Sequence, residues 1–167
     1  MSVGPVPEQL QGFLMKLKDL PILGWREWVA LPELGVKKIR CKVDTGARTS
    51  ALHAFYVEEF SEGGRRKVRF GLHPVQDSVD KELHCEAFVN EQREVTDSGG
   101  HTETRYVIET PVVIGNSTWP IEINLTNRDT MRYRMLLGRT AIAQYFNVDA
   151  SGSHLMGKPS KHPEVLP

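Results

Sequence analysis

From Pro21 onward the chain is a succession of short runs rich in β-branched and aromatic residues, each cut off by Gly, Pro, Asn or Asp. That punctuation leaves little room for long helices and specifies an all-β sandwich or barrel. Strands are expected near Ile22 to Leu31, Lys37 to Val43, Ser50 to Phe60 and Lys67 to Leu72. Further strands are expected near Leu83 to Val95, Thr102 to Ile114, Thr118 to Asn127 and Arg134 to Leu137. Glu62-Gly63-Gly64-Arg65 and Gly115-Asn116-Ser117 read as hairpin turns, and Asp97-Ser98-Gly99-Gly100-His101 as a mobile loop. Arg139 to Gln144 can make a short helix and Tyr145 to Asp149 a last strand.

The flanks differ. Met1 to Pro7 read as a loose end, and Glu8 to Leu20 carry Leu10, Phe13, Leu14, Leu17 and Leu20 at helical spacing, the pattern of a helix covering an apolar edge. Residues 1–20 are therefore taken as an N-terminal extension and 21–150 as the domain. Residues 151–167 form a tail rich in Gly, Ser, Lys and Pro, with little to bury and partly disordered. A chain of 167 residues suits one domain.

Charge narrows the function classes. With 21 basic and 21 acidic residues the net charge is zero, so direct nucleic-acid binding is not expected. The basic clusters at Lys37-Lys38, Arg65-Arg66-Lys67 and residues 128–134 read as solvated surface. Two cysteines, Cys41 and Cys85, make no disulfide framework, and the N-terminus lacks the pattern of a secretory signal, so a cytoplasmic protein is expected. The apolar runs fall far short of the ~20 residues that cross a bilayer.

The chemistry centres on Val43-Asp44-Thr45-Gly46-Ala47, one carboxylate between an apolar residue and a small turn. Glycine tolerates backbone conformations that a Cβ resists, so the stretch can present Asp44 at the tip of a strand. The same tripeptide also fits a turn in which Asp bonds its own backbone. Far downstream stands Met135-Leu136-Leu137-Gly138-Arg139.

Together the two motifs resemble those of retropepsin-type aspartic proteases, which implies a closed β-barrel of the retropepsin-like acid protease type with a short C-terminal helix. The resemblance implies that Asp44 is catalytic and that Thr45 bonds across a dimer beneath the catalytic pair. It further implies that Gly46 admits the substrate backbone, and that Ala47, Leu136, Leu137 and Gly138 support the site, the leucines as core. The longer word from Val43 to Ala54 resembles a bacterial family labelled ATP-dependent zinc protease. That family is retropepsin-like, is associated with RimK-type glutamate ligases, and is linked to trimming glutamate tails from a ribosomal protein. The likeness runs from roughly Ile22 to Lys158.

Two features depart from those patterns. Gly157-Lys158 is followed by Pro159, so no phosphate-cradling loop exists, and no His-Glu-x-x-His is present. No cofactor and no metal are expected, the alternative being a site gathered in space from Cys41, His53, His84 and Cys85. In viral retropepsins the second position after the motif's glycine is commonly acidic and pairs with the arginine of the Gly-Arg motif; here it is Arg48. Guanidinium forks bind carboxylates bidentately, so Arg48 and Arg139 are candidates for holding an acidic substrate, with structural ion pairs as the alternative. His53 faces either the cleft or solvent.

Hydrolysing a peptide with neither metal nor nucleophile needs one group to take a proton and another to give one. Two carboxylates sharing a proton do both. One Asp44 per chain then requires a homodimer in which Asp44 meets Asp44 across a two-fold axis. Two other functions compete with this: a non-catalytic module that grips glutamate-rich tails, and a metal-dependent hydrolase.

Overall fold

The computed structural model describes residues 4–127 and 132–167, and gives no side-chain burial for residues 13 and 15–18. The first residues of the loose end, Arg128 and positions 129–131 of the last basic cluster, and the side chains of Phe13 and Leu17 therefore lie outside the described residues. The order is α1 (Glu8–Lys18), β1 (Ile22–Leu23), β2 (Arg26–Leu31), a 3-10 turn at Pro32–Leu34, β3 (Val36–Asp44), β4 (Ser50–His53), β5 (Tyr56–Glu62), β6 (Arg65–Leu72) and β7 (Leu83–Phe88). Then come β8 (Glu91–Thr96), β9 (Thr102–Ile114), β10 (Ser117–Thr126), β11 (Met135–Gly138), α2 (Arg139–Ile142), β12 (Asn147–Val148) and β13 (Glu164–Val165). The fold is mostly β. No helix among the described residues is long and apolar enough to cross a membrane.

Six strands pair in a ring. β10 pairs in parallel with β4, β4 with β11, β11 in parallel with β3, β3 with β2, β2 with β9, and β9 back with β10. Leu31, Ile39, Leu52, Ile108, Ile123, Met135 and Leu137 are fully buried in the core. A second, antiparallel sheet holds β5, β6 and β7. Its first hairpin turns at Gly63 and Gly64, both with positive φ (59° and 76°), the backbone that a two-residue turn between twisted strands requires.

Three expected strands each divide in two where the chain changes sheet, the run from Ile22 at Gly24 and two others further on. The run from Ser50 ends at Ala54, whose amide donates to Thr126, while the next amide, Phe55, donates to Gly71. The run from Leu83 breaks where Val89 N donates to Arg66 O and Asn90 N to Val107 O, consecutive amides serving different sheets. At Ala54-Phe55 the run reads as continuous because no Gly, Pro, Asn or Asp stands there.

The tail is folded on the domain, against the expectation of partial disorder. The reason is Glu27, whose side chain is fully buried. Its carboxylate accepts from Gly24 N at 2.7 Å, Leu155 N at 3.0 Å and Met156 N at 3.0 Å, so three backbone donors of two distant segments converge on one charge. Trp25 N donates to Gly152 O, His154 stacks on Trp28 at 5.3 Å, and β13 pairs with β10. Burial, followed by the nearby Arg26 and Arg40, holds the His154 imidazole below its ordinary value of 6.5.

At the other end α1 forms, yet Leu10 and Leu14 are 46% and 40% exposed, so this part of the apolar stripe does not cover the domain.

Candidate active site

Asp44 is the last residue of β3, and parallel pairing places it beside Gly138 at the end of β11. Its Oδ1 accepts from Gly46 N at 3.1 Å and Ala47 N at 3.2 Å, so the turn reading of the tripeptide holds and at the same time fixes the carboxylate. Gly46 itself has no left-handed backbone, contrary to the expected need for glycine's freedom. A Cβ there would sit 3.4 Å from Asp44 Oδ1, so what the glycine leaves open is space beside the carboxylate. Thr45 is exposed on the same turn.

The turn is clamped by the segment that follows β11. Arg139 N donates to Ala47 O (2.8 Å), Thr140 N and Oγ1 both donate to Arg48 O (3.1 and 2.8 Å), and Gly138 N donates to the buried Ser50 Oγ (3.0 Å). Here glycine is required by contact: a Cβ on Gly138 would lie 2.6–2.8 Å from the Thr49 and Ser50 backbone. The two motifs read separately in the sequence are thus one hydrogen-bonded unit.

A cavity of about 540 Å³ opens beside this unit. Ala51, Asn124 and Leu136 stand at matched positions of β4, β10 and β11 on one wall. The β8–β9 hairpin, which continues the sheet from β10, contributes Arg93 to Ser98 and Arg105. Of the residues singled out in the sequence, Asp44, Gly46, Ala47, Arg48 and Leu136 line this cavity. Leu137 points into the core instead, so only one of the two leucines is core, as strand alternation dictates. Arg139 lies outside the lining and donates from Nη1 to Gly46 O at 3.4 Å, steadying the turn. Arg48 is exposed at the cavity.

Sequence reading missed Arg93, Arg105, Asn124 and Thr126. The signal for the arginines lay in the Asp97–His101 turn: a hairpin centred on Gly99 puts residues equidistant from it opposite each other, and Arg93 pairs with Arg105. Of the long stretch from His73 to His101, residues Arg93 to Ser98 line the cavity with Asp44.

Histidines and thiols lie elsewhere. His53 is 2% exposed and faces neither cleft nor solvent, its ring 6.5 Å from that of His73. Burial pushes the Cys41 thiol up to about 12 and Cys85 up to about 11, and Cys85 Sγ donates to Leu34 O. No group of three or more His, Cys, Asp or Glu able to hold a metal occurs among the described residues.

A family model described as RimB-like, the retropepsin-like aspartic endopeptidase RimB, matches residues 22–159. The chain belongs to the RimB-like family. Its matched region takes in the Asp44 turn, the β8–β9 hairpin and the Gly138-Arg139 clamp. The chain is also 48% identical over 136 residues to a probable alpha-L-glutamate ligase of Parasynechococcus marenigrum (strain WH8102), covering 81% of this chain and 29% of that protein. A probable alpha-L-glutamate ligase of Shewanella pealeana is 45% identical over 137 residues, covering 82% of this chain and 30% of that protein. The chain thus spans under a third of the length of these curated relatives. Among solved structures, protein Lpg0085 of unknown function from Legionella pneumophila aligns with a TM-score of 0.69 at 26% identity, covering 81% of this chain and 98% of that one.

Proposed function

We propose that this RimB-like chain is a cytoplasmic aspartic endopeptidase, its six-strand ring closed as a barrel, active as a homodimer with one Asp44 from each chain. The observation that carries the reading is the Asp44 turn, clamped to Gly138-Arg139 at the edge of the cavity. Two carboxylates brought close cannot both ionise, so one serves as base toward water and the other as acid toward the carbonyl or leaving amine. In this reading Thr45, exposed on the same turn, bonds the turn of the mate beneath the pair. The substrate is an acidic, glutamate-tailed peptide such as a modified ribosomal protein, which fits relatives that are named glutamate ligases and a functional link to a RimK-type ligase.

Those longer relatives favour one second reading: a non-catalytic module that grips glutamate tails while a ligase works on them. Mass spectrometry of a glutamate-tailed peptide incubated with the chain separates the two. Cleavage that survives EDTA and grows more than linearly with protein concentration is expected. An unchanged peptide mass alongside binding that weakens with salt favours the module, and activity lost to EDTA assigns a metal hydrolase.

A further inference from the structure

The β8–β9 hairpin carries two arginines directly opposite each other, Arg93 and Arg105, on the wall that faces the Asp44 cavity. Like charges in cross-strand register disfavour a hairpin unless something offsets them. Each guanidinium is held by glutamates that do not line the cavity and by one polar residue that does, Thr49 for Arg93 and Asn124 for Arg105. Arg93 donates to Glu91, to Glu122 at 3.3 Å and to Thr49 Oγ1 at 2.9 Å. Arg105, 7% exposed, donates from Nε to Glu103 and from Nη1 to Asn124 Oδ1 at 3.1 Å.

Glu91, Glu103 and Glu122 do not line the cavity, whereas both arginines do. A guanidinium has five N–H donors, and the bonds recorded for Arg105 use two of its three nitrogens. Carboxylates behind the forks therefore fix their orientation and leave donors toward the cavity, the arrangement that suits bidentate capture of an anion. The acids on the cavity wall are Asp44, exposed Glu94, and Asp97, whose Oδ1 already accepts from Gly99 N and His101 N at 2.9 Å.

We infer that Arg93 and Arg105 form a subsite that holds a glutamate side-chain carboxylate of the peptide beside Asp44, and so set specificity. The subsite rests on the acidic-peptide reading but does not need cleavage. Arg93 also joins the hairpin to Thr49, next to the Asp44 turn, so the captured side chain is registered against the carboxylate.

The test is binding of two fluorescent peptides, one ending in a run of glutamates and one in glutamines, to the full chain carrying Asp44→Asn. Arg93→Gln and Arg105→Gln are each expected to weaken the glutamate peptide about tenfold or more while leaving the glutamine peptide unchanged. Arg→Lys should recover part of the loss, because charge returns without the fork. Equal weakening of both peptides would mark the arginines as bracing only. No change, or no preference for glutamate in the parent, would also overturn the subsite. If Arg105→Gln fails to fold, the more exposed Arg93 decides alone. Failure of cleavage by the wild-type chain with the binding pattern intact would reject the peptidase and keep the subsite.

Discussion

Asp44→Asn is expected to lower peptidase activity by about 10²–10⁴-fold, the range over which general acid–base groups act, while leaving thermal stability unchanged. The choice of asparagine matters. Asp44 Oδ1 accepts the amides of Gly46 and Ala47, and an asparagine Oδ1 can accept both, so the turn survives while the exchangeable proton is lost. Alanine would leave those amides without a partner and confound catalysis with folding. Activity retained in Asp44→Asn at unaltered stability would remove Asp44 from the chemistry.

Glu27→Ala should destabilise the fold by about 3–5 kcal/mol in denaturant unfolding, since it strips the acceptor from three inward-facing amides, Gly24, Leu155 and Met156. That is a large part of the stability a domain of this size commonly has. Glu27→Gln should fall between. Its amide oxygen can serve Gly24 and Leu155, but its NH2 then faces the Met156 N–H, donor against donor. The released segment is 151–167, so limited proteolysis of Glu27→Ala should cut there first. Stability within about 0.5 kcal/mol of wild type would mean that the carboxylate is not what anchors the tail.

The two residues show what a sequence of this kind reveals. Asp44 was legible because the turn that presents it is contiguous, and because Gly138-Arg139 repeats in sequence what the β3–β11 pairing joins in space. Most strands were legible from composition for the same local reason. Glu27 was not, because two of its three partners lie more than a hundred residues away and all three are backbone amides, which leave no side-chain signature. A tail without an apolar run therefore read as partly disordered, although backbone hydrogen bonds, the His154–Trp28 stack and the packing of Met156 and Leu166 on the core hold it. The crossing at Ala54-Phe55 was hidden because only the destination of successive amides distinguishes it, whereas the one at Val89-Asn90 carries an asparagine. Arg93 and Arg105 were hidden because their meaning depends on hairpin register. Arg139, a candidate substrate ligand with a structural role as the alternative, clamps the turn through Ala47 O and Gly46 O.

The central claim is that each active site needs Asp44 from two chains. Mixing wild-type and Asp44→Asn chains at constant total concentration, with time for subunits to exchange, tests it most directly. If a mixed dimer is inactive, peptidase activity follows the square of the wild-type fraction. Activity that follows the wild-type fraction linearly would show that one Asp44 suffices and that the site is not shared between two chains.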